Sequence, residues 1–225
     1  GFFQAKTPAA PVKSALTAFI FSTTFTMQLF LNTSSPFARV ARVVALEKGL
    51  ADQLELVWCD PWNNDPALLA QHPQARIPVL VTDDGQAIAE SLLIAQYLDH
   101  MGRGPRLIPA QHISRVLAQT SVAYGLMEAA FNIVIARKYE GAAADASVMG
   151  QRRLAAITRA LAQLEKQLSA PAEAQLTLDQ IATAVALAYV QFRLPALLPQ
   201  ADYPQLHAWL QSAEQREALA QTRFT

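Results

Sequence analysis

Two serines and a proline, Ser34, Ser35 and Pro36, separate a strand-like run from a helix-like pattern. A serine hydroxyl at a helix start accepts a hydrogen bond from a backbone N–H, and proline suits the first helical position. The same hydroxyl, beside the positive end of the helix dipole, can also donate a hydrogen bond to an anion. The local motif alone favours a helix cap, and its spacing does not separate Ser34 from Ser35 in that role.

Two further pairs could contact a ligand. Ile77-Pro78 opens a predicted strand, where proline cannot donate to the sheet. A cis peptide would turn the backbone groups of Ile77 toward a ligand, although an ordinary trans bond is far commoner. Glu90-Ser91 opens a predicted helix, where a hydroxyl and free N–H groups can bind a carboxylate and the glutamate can face an ammonium. Helix capping and the helix dipole also explain this pair.

The pattern of apolar residues indicates which elements would position these groups. From residue 27 to 101 it changes period repeatedly, which is typical of mixed α/β structure in the order βαβαββα. The predicted elements are strands at 27–31 and 54–58, helices at 36–48, 66–71 and 90–100, and a hairpin turning at Asp84-Gly85. A helix between two strands predicts a parallel crossover. Beyond "GRGPRLIPA" the pattern is helical, with helices predicted at about 112–140, 147–169, 178–193, 203–212 and 214–221.

These elements predict a division of the chain into two domains. Residues 1–26 are expected to be an extension outside the fold, natural or left from cloning. Residues 27–101 form the α/β domain, 102–110 a linker rich in glycine and proline, and 111–225 an all-helical domain. The helix predicted at 178–193 carries small and apolar residues on most faces, so we expect it at the centre of the helical domain.

Composition and missing motifs exclude several classes of function. With 18 basic and 18 acidic residues among 225, the chain gives no electrostatic case for nucleic acid or an anionic membrane as a partner. The single cysteine, Cys59, excludes an internal disulfide and fits a reducing, cytoplasmic compartment, and the histidines lack metal-ligand spacing. No stretch has the ~20 apolar residues of a membrane span. Walker, G-x-G-x-x-G, H-E-x-x-H, G-x-S-x-G and C-x-x-C motifs are also missing.

Taken together, three segments resemble the glutathione S-transferase superfamily. They are "SSPFARVARVVALEKGL", "HPQARIPVLVTDDGQAIAESLLIAQYLD" and "LTLDQIATAVALAYVQF". The resemblance extends from residue 27 to about 224 and is closest to the bacterial members with an active-site serine. It implies a thioredoxin-like N-terminal domain, an all-helical C-terminal domain and a homodimer.

The resemblance also implies roles for particular residues. Ser35 takes the place of the catalytic hydroxyl or thiol. Ile77 falls where the family pairs its backbone with the cysteinyl part of glutathione, and Pro78 falls on a cis-proline. Glu90 and Ser91 fall on the pair that holds the γ-glutamyl end.

Other positions match the family less well. Arg76 lies where some members contact glutathione. The run "HPQAR" replaces an Asn-Pro-x-Gly-Lys run, so the resemblance assigns no residue here to the glycyl carboxylate. Gln180 replaces an aspartate of the core-helix motif, yet it can still complete a capping box with Thr177.

The implied activity is conjugation of glutathione to a small, apolar electrophile, with peroxide reduction as a side activity and no metal. Tyr124, Met127 and Phe131 lie at helical spacing and could line the electrophile's pocket, although such a stripe is more often part of a core. Thiol-transfer chemistry is disfavoured because Cys59 lies outside the motif. The alternative is a binding or scaffold protein that keeps the fold without turnover.

Overall fold

The computed structural model describes residues 26–168 and 176–225, and the predicted extension lies almost wholly outside them. The described part contains a mixed sheet of strands β1 (Met27–Leu31), β2 (Leu54–Trp58), β3 (Val79–Val81) and β4 (Ala87–Ala89). Their spatial order is β2-β1-β3-β4. Strand β1 pairs parallel with β2 and antiparallel with β3, which pairs antiparallel with β4.

Three helices belong to this sheet: α1 (Pro36–Glu47), α2 (Pro66–Gln71) and α3 (Ser91–Met101). The resulting order confirms the predicted βαβαββα pattern and the parallel crossover between the first two strands. The hairpin turns where predicted: the Gly85 N–H donates to the Thr82 carbonyl at 2.9 Å, and Gly85 has a φ of +82°, which favours glycine.

The rest of the described chain is helical. The helices are α4 (Ile113–Glu140), α5 (Ala143–Ala146), α6 (Val148–Gln167), α7 (Leu178–Arg193), α8 (Pro204–Ala213) and α9 (Glu217–Ala220). Every residue from 181 to 190 is buried, so α7 lies at the centre, packed against α4 and α1. The fold class is therefore as predicted, except that the one-turn helix α5 was not anticipated. The limits of the two domains stay predictions.

The start of α7 has the predicted capping box. The Gln180 carboxamide oxygen accepts a hydrogen bond from the Thr177 backbone N–H at 2.9 Å.

Replacing Gln180 with alanine is expected to lower the free energy of unfolding by about 0.5–1 kcal/mol, because one helix-terminal donor loses its partner. Urea denaturation would measure the change. Gln180→Glu, which keeps an acceptor, should remain close to the parent, and equal losses in both variants would contradict the capping role.

A buried ion pair joins α1, α3 and the segment that follows α3. Lys48 Nζ lies 2.9 Å from Asp99 Oδ1, and the two side chains are 1% and 9% exposed. Lys48 also donates to the Pro105 carbonyl at 2.9 Å, and Asp99 Oδ1 accepts from the Leu107 N–H at 3.0 Å. The ends of two helices and the irregular segment are thus held by one set of charge-assisted bonds.

A second buried cation joins α1 to the last residues of the chain. The Arg39 guanidinium donates to the Leu219 carbonyl at 3.0 Å and the Thr222 hydroxyl at 3.3 Å, and it lies 4.6 Å above the Phe224 ring. Burial lowers the pKa of Arg39 to about 10, so the side chain is still charged at neutral pH. Residues 219–224 therefore hold α1 directly.

Across residues 26–168 and 176–225, the helices are too short or too polar to cross a membrane.

Candidate active site

Ser35 is the N-cap of α1. Its Oγ accepts a hydrogen bond from the Ala38 N–H at 3.2 Å, and the residue is 9% exposed. This contact decides between Ser34 and Ser35 as the cap. Because the oxygen acts as the acceptor in this bond, the hydroxyl proton remains available for donation to a ligand.

Asn32 orders the loop before Ser35, a role that the sequence reasoning missed. Its side-chain oxygen accepts from the backbone N–H groups of Ser34 at 3.2 Å and Ser35 at 2.8 Å. An asparagine that bonds the backbone two and three residues ahead is a recognisable turn signal, so this contact could have been anticipated. The two backbone donors are engaged by Asn32, which leaves the serine hydroxyls as candidate donors to a ligand.

Two adjoining cavities border α1 and share Phe37, Arg76, Ile77 and Phe131. The Ser35 cavity, of about 720 Å³, also includes Ser34, Ser35 and Trp62 in its wall. The Ser91 cavity, of about 520 Å³, also includes Pro78, Glu90 and Ser91. All six predicted site residues therefore border one continuous region, with Ser35 at one end and Glu90-Ser91 at the other.

The Ile77-Pro78 peptide bond is cis. The base rate of X-Pro bonds favoured trans, so the resemblance was the better guide at this position.

Glu90 is held in an unusual conformation at the N-terminus of α3. Its φ of +68° is rare for a residue with a side chain, and such outliers occur often at functional sites. Arg76 Nη1 lies 3.3 Å from Glu90 Oε1, with both side chains more than half exposed. The Glu90 carboxylate is therefore accessible to a ligand, beside a cation that can shift to admit one.

Ser91 is positioned by a tyrosine from α4. Its Oγ lies 2.9 Å from the Tyr124 hydroxyl. Burial raises the pKa of Tyr124 far above its usual range, so this hydroxyl stays protonated at physiological pH. The contact fixes the Ser91 side chain at the start of α3.

The predicted stripe on α4 divides between cavity and core. Tyr124 and Phe131 border the cavities, and both rings pack against Phe37, at centroid distances of 6.2 Å and 5.8 Å. Met127 is completely buried in the main hydrophobic core. The hypothesis that Met127 lines a pocket was wrong, because its face of α4 packs inward.

Cys59 is half-buried beside a small cluster that includes Phe30 and Leu68. Burial, with a smaller contribution from the charge of Asp65, raises the pKa of its thiol. The thiol is therefore protonated at neutral pH and poorly nucleophilic.

The Ser35 cavity has further walls that the sequence reasoning did not single out. Trp62 follows β2, Lys138 lies near the end of α4, and Tyr189 and Arg193 lie on α7. Only the fold brings these distant positions together. Within the described ranges, no group of three His, Cys, Asp or Glu side chains is arranged to hold a metal ion.

Models of known families match both parts of the chain. The model "Glutathione S-transferase, N-terminal domain" matches residues 34–101. The model "Glutathione S-transferase, C-terminal domain" matches residues 142–212. The first match contains all six predicted site residues, and the second contains α7.

Individual relatives agree with these matches. The uncharacterized GST-like protein YibF of Escherichia coli K12 is 31% identical over 87% of this chain and 98% of its own length. Glutathione S-transferase L3 of Arabidopsis thaliana is 27% identical over 88% of this chain and 83% of its own. A glutathione transferase family member from Pseudomonas fluorescens Pf-5, solved with bound glutathione, superposes with a TM-score of 0.80. It is 30% identical and covers 89% of this chain and all of that one.

Proposed function

Since this chain belongs to the glutathione S-transferase family, we propose that it binds glutathione along the two cavities and conjugates it to small electrophiles. Ser35 is the proposed catalytic residue: its hydroxyl donates a hydrogen bond to the glutathione sulfur and so stabilises the thiolate. The observation that carries this assignment is the Ser35 hydroxyl, which caps α1 through its oxygen and borders the cavity with its proton available.

The remaining site residues are proposed to hold the tripeptide. The backbone of Ile77, the residue before Pro78, pairs with the cysteinyl part. Ser91 and the N-terminus of α3 bind the γ-glutamyl carboxylate, while Glu90 faces the ammonium group. Arg76 joins the two cavities and moves from Glu90 toward the ligand. The glutathione that is bound in the Pseudomonas structure supports the ligand class.

Retention on immobilised glutathione, followed by assays with an activated chloronitroarene and a peroxide, tests the proposal. Retention with conjugation is the expected result. Retention without turnover would favour the alternative of a binding or scaffold protein, and a lack of retention would contradict both.

Four further properties stay predictions: the serine-type subclass, a detoxification role, a homodimer and a cytoplasmic location. Sedimentation would test the dimer.

Replacing Glu90 with glutamine is expected to raise the KM for glutathione about five- to tenfold, because the ammonium loses a charge-assisted partner. The kcat at saturating glutathione should change much less, since the carboxylate does not contact the sulfur. Initial rates over a range of glutathione concentrations would measure both. Glu140→Gln, an exposed position at the end of α4, is the matched control. A drop in kcat at constant KM would contradict the assigned role.

A further inference from the structure

The charged residues around the Ser35 cavity are all basic. Over the described residues, the cavity wall includes Arg76, Lys138 and Arg193 but no aspartate or glutamate. The whole chain has equal numbers of acidic and basic residues, so this asymmetry is local. Arg76, which pairs with Glu90, is already assigned to glutathione, so Lys138 and Arg193 are the cations of the wall that could face a second substrate.

Lys138 is held at the cavity by two aromatic rings. Its Nζ lies 5.4 Å from the centroid of Trp62 and 5.3 Å from that of Tyr139, and the two rings are 6.1 Å apart. Contacts of this kind attract an ammonium without neutralising its charge. Trp62 follows β2 whereas Lys138 and Tyr139 belong to α4, so the ammonium lies where the two parts of the chain meet.

Arg193 approaches from α7. It lies one helical turn after Tyr189, and both residues border the cavity. Burial raises the pKa of Tyr189 to about 12, so its hydroxyl is protonated and can donate. In the part of the chain that the structure describes, neither Lys138 nor Arg193 has an acidic side chain at ion-pair distance.

We propose that the Ser35 cavity accepts an electrophile that carries a carboxylate, bound by Lys138 and Arg193 with its apolar body against Phe131 and Val134. This inference rests on the proposed function, because it assigns the second substrate of the same site. Two donors of fixed charge bind a carboxylate more strongly than a neutral group of the same shape. Ser35, in the wall of the same cavity, holds the attacking sulfur.

Two matched electrophiles serve as test substrates for conjugation: 4-chloro-3,5-dinitrobenzoate and the corresponding amide. The glutathione thiolate forms a carbon–sulfur bond at the chlorine-bearing carbon. Chloride then leaves with the electron pair of the broken bond, and the thiol proton passes to solvent. The two substrates share the leaving group and differ in charge, so a preference between them reports on the carboxylate.

The test measures binding separately from turnover. Calorimetric titration with 3,5-dinitrobenzoate and 3,5-dinitrobenzamide, which have no leaving group at the reacting position, is expected to show about tenfold tighter binding of the acid. In a Lys138→Met, Arg193→Met double variant, the ratio of the amide's dissociation constant to that of the acid should fall to about one, because both cations are gone. Arg159→Met removes an exposed cation of α6 outside the cavity and should leave the preference intact.

Each result decides between the proposals. Equal affinities in the parent, no binding of the acid, or a preference that survives in the double variant would overturn the carboxylate subsite. A clear acid preference together with no conjugation of either chloroarene would contradict the proposed enzyme and support the subsite. Conjugation of both chloroarenes without a preference for the acid would support the proposed enzyme and contradict the carboxylate subsite. Circular dichroism confirms that the double variant, changed at two exposed positions, is folded.

Discussion

Replacing Ser35 with alanine is expected to lower kcat/KM for conjugation about 10- to 150-fold near neutral pH, the equivalent of a lost hydrogen bond to an anion. An ordinary thiol has a pKa of about 8.5 and is only a few per cent ionised at pH 7. Lowering that pKa by two units requires about 2.7 kcal/mol of stabilisation of the thiolate. A hydroxyl donor contributes about 1.5–3 kcal/mol and a helix N-terminus about 0.3–1 kcal/mol, so Ser35 is sufficient for most of this shift.

The pH dependence distinguishes this role from a general loss of structure. At saturating glutathione, kcat/KM for the electrophile should rise with pH and level off above about 6.5 in the parent. In Ser35→Ala the rise should continue to about 8, because the helix N-terminus still stabilises the thiolate a little. The loss of kcat/KM in Ser35→Ala is therefore largest at low pH. It becomes smaller at high pH, where glutathione is ionised on both the parent and the variant. Difference absorbance of the bound thiolate would measure the same pKa without turnover.

Two controls separate the hydroxyl from the cap. Ser35→Ala also removes the bond to the Ala38 N–H, which costs about 1 kcal/mol of stability, so rates must be measured well below its melting temperature. Ser35→Thr keeps both the cap and a donor and should retain much of the activity. Ser34→Ala should resemble the parent. Full activity in Ser35→Ala together with a defect in Ser34→Ala would transfer the role to Ser34.

Replacing Asp99 with alanine is expected to lower the free energy of unfolding by about 3–5 kcal/mol, because the Lys48 charge remains buried without its partner. The Leu107 N–H loses its acceptor in the same change. Chemical denaturation followed by circular dichroism would measure the loss. The apparent unfolding midpoint should fall while the secondary structure at low denaturant is preserved.

The chain supplies a matched comparison for this experiment. Arg137 and Asp145 are 2.8 Å apart, about as close as Lys48 and Asp99, but their side chains are 38% and 41% exposed. Asp145→Ala should therefore shift the midpoint little, since water replaces the lost partner. A Lys48→Met, Asp99→Leu double variant should recover part of the loss that Asp99→Ala causes. Equal losses in Asp99→Ala and Asp145→Ala would show that burial is not the cause.

Local sequence patterns predicted the elements of the fold well. The runs at 27–31 and 54–58, the helix that starts at Pro36 and the capping box of α7 all depend on residues close together in the chain. The candidate site groups could be singled out for the same reason, since each is a short motif at the start of a helix or strand, and their roles stay predictions. The cis bond before Pro78 was anticipated only through the resemblance, because spacing does not report the isomer.

Features that depend on distant contacts could not be predicted in this way. The spacing of Tyr124, Met127 and Phe131 fits one helical face, yet packing directs Met127 into the core. Lys138 looks like an ordinary surface lysine until the fold places Trp62 beside it. The pairing of Lys48 with Asp99 likewise joins the residue that follows α1 to a residue of α3. Charge partners far apart in the chain leave no periodic signal.

The contacts of Arg39 limit how relatives of this protein can be recombined. The helix that carries Ser35 is bound to Leu219, Thr222 and Phe224, at the opposite end of the sequence. A chimera with a single crossover between the domains would combine one parent's Arg39 with another parent's C-terminal residues. The carbonyl of residue 219 would remain, but the buried cation would lose its hydroxyl acceptor and its ring wherever the second parent differs at 222 and 224. Functional hybrids should therefore inherit α1 and residues 219–224 from the same parent, through two crossovers.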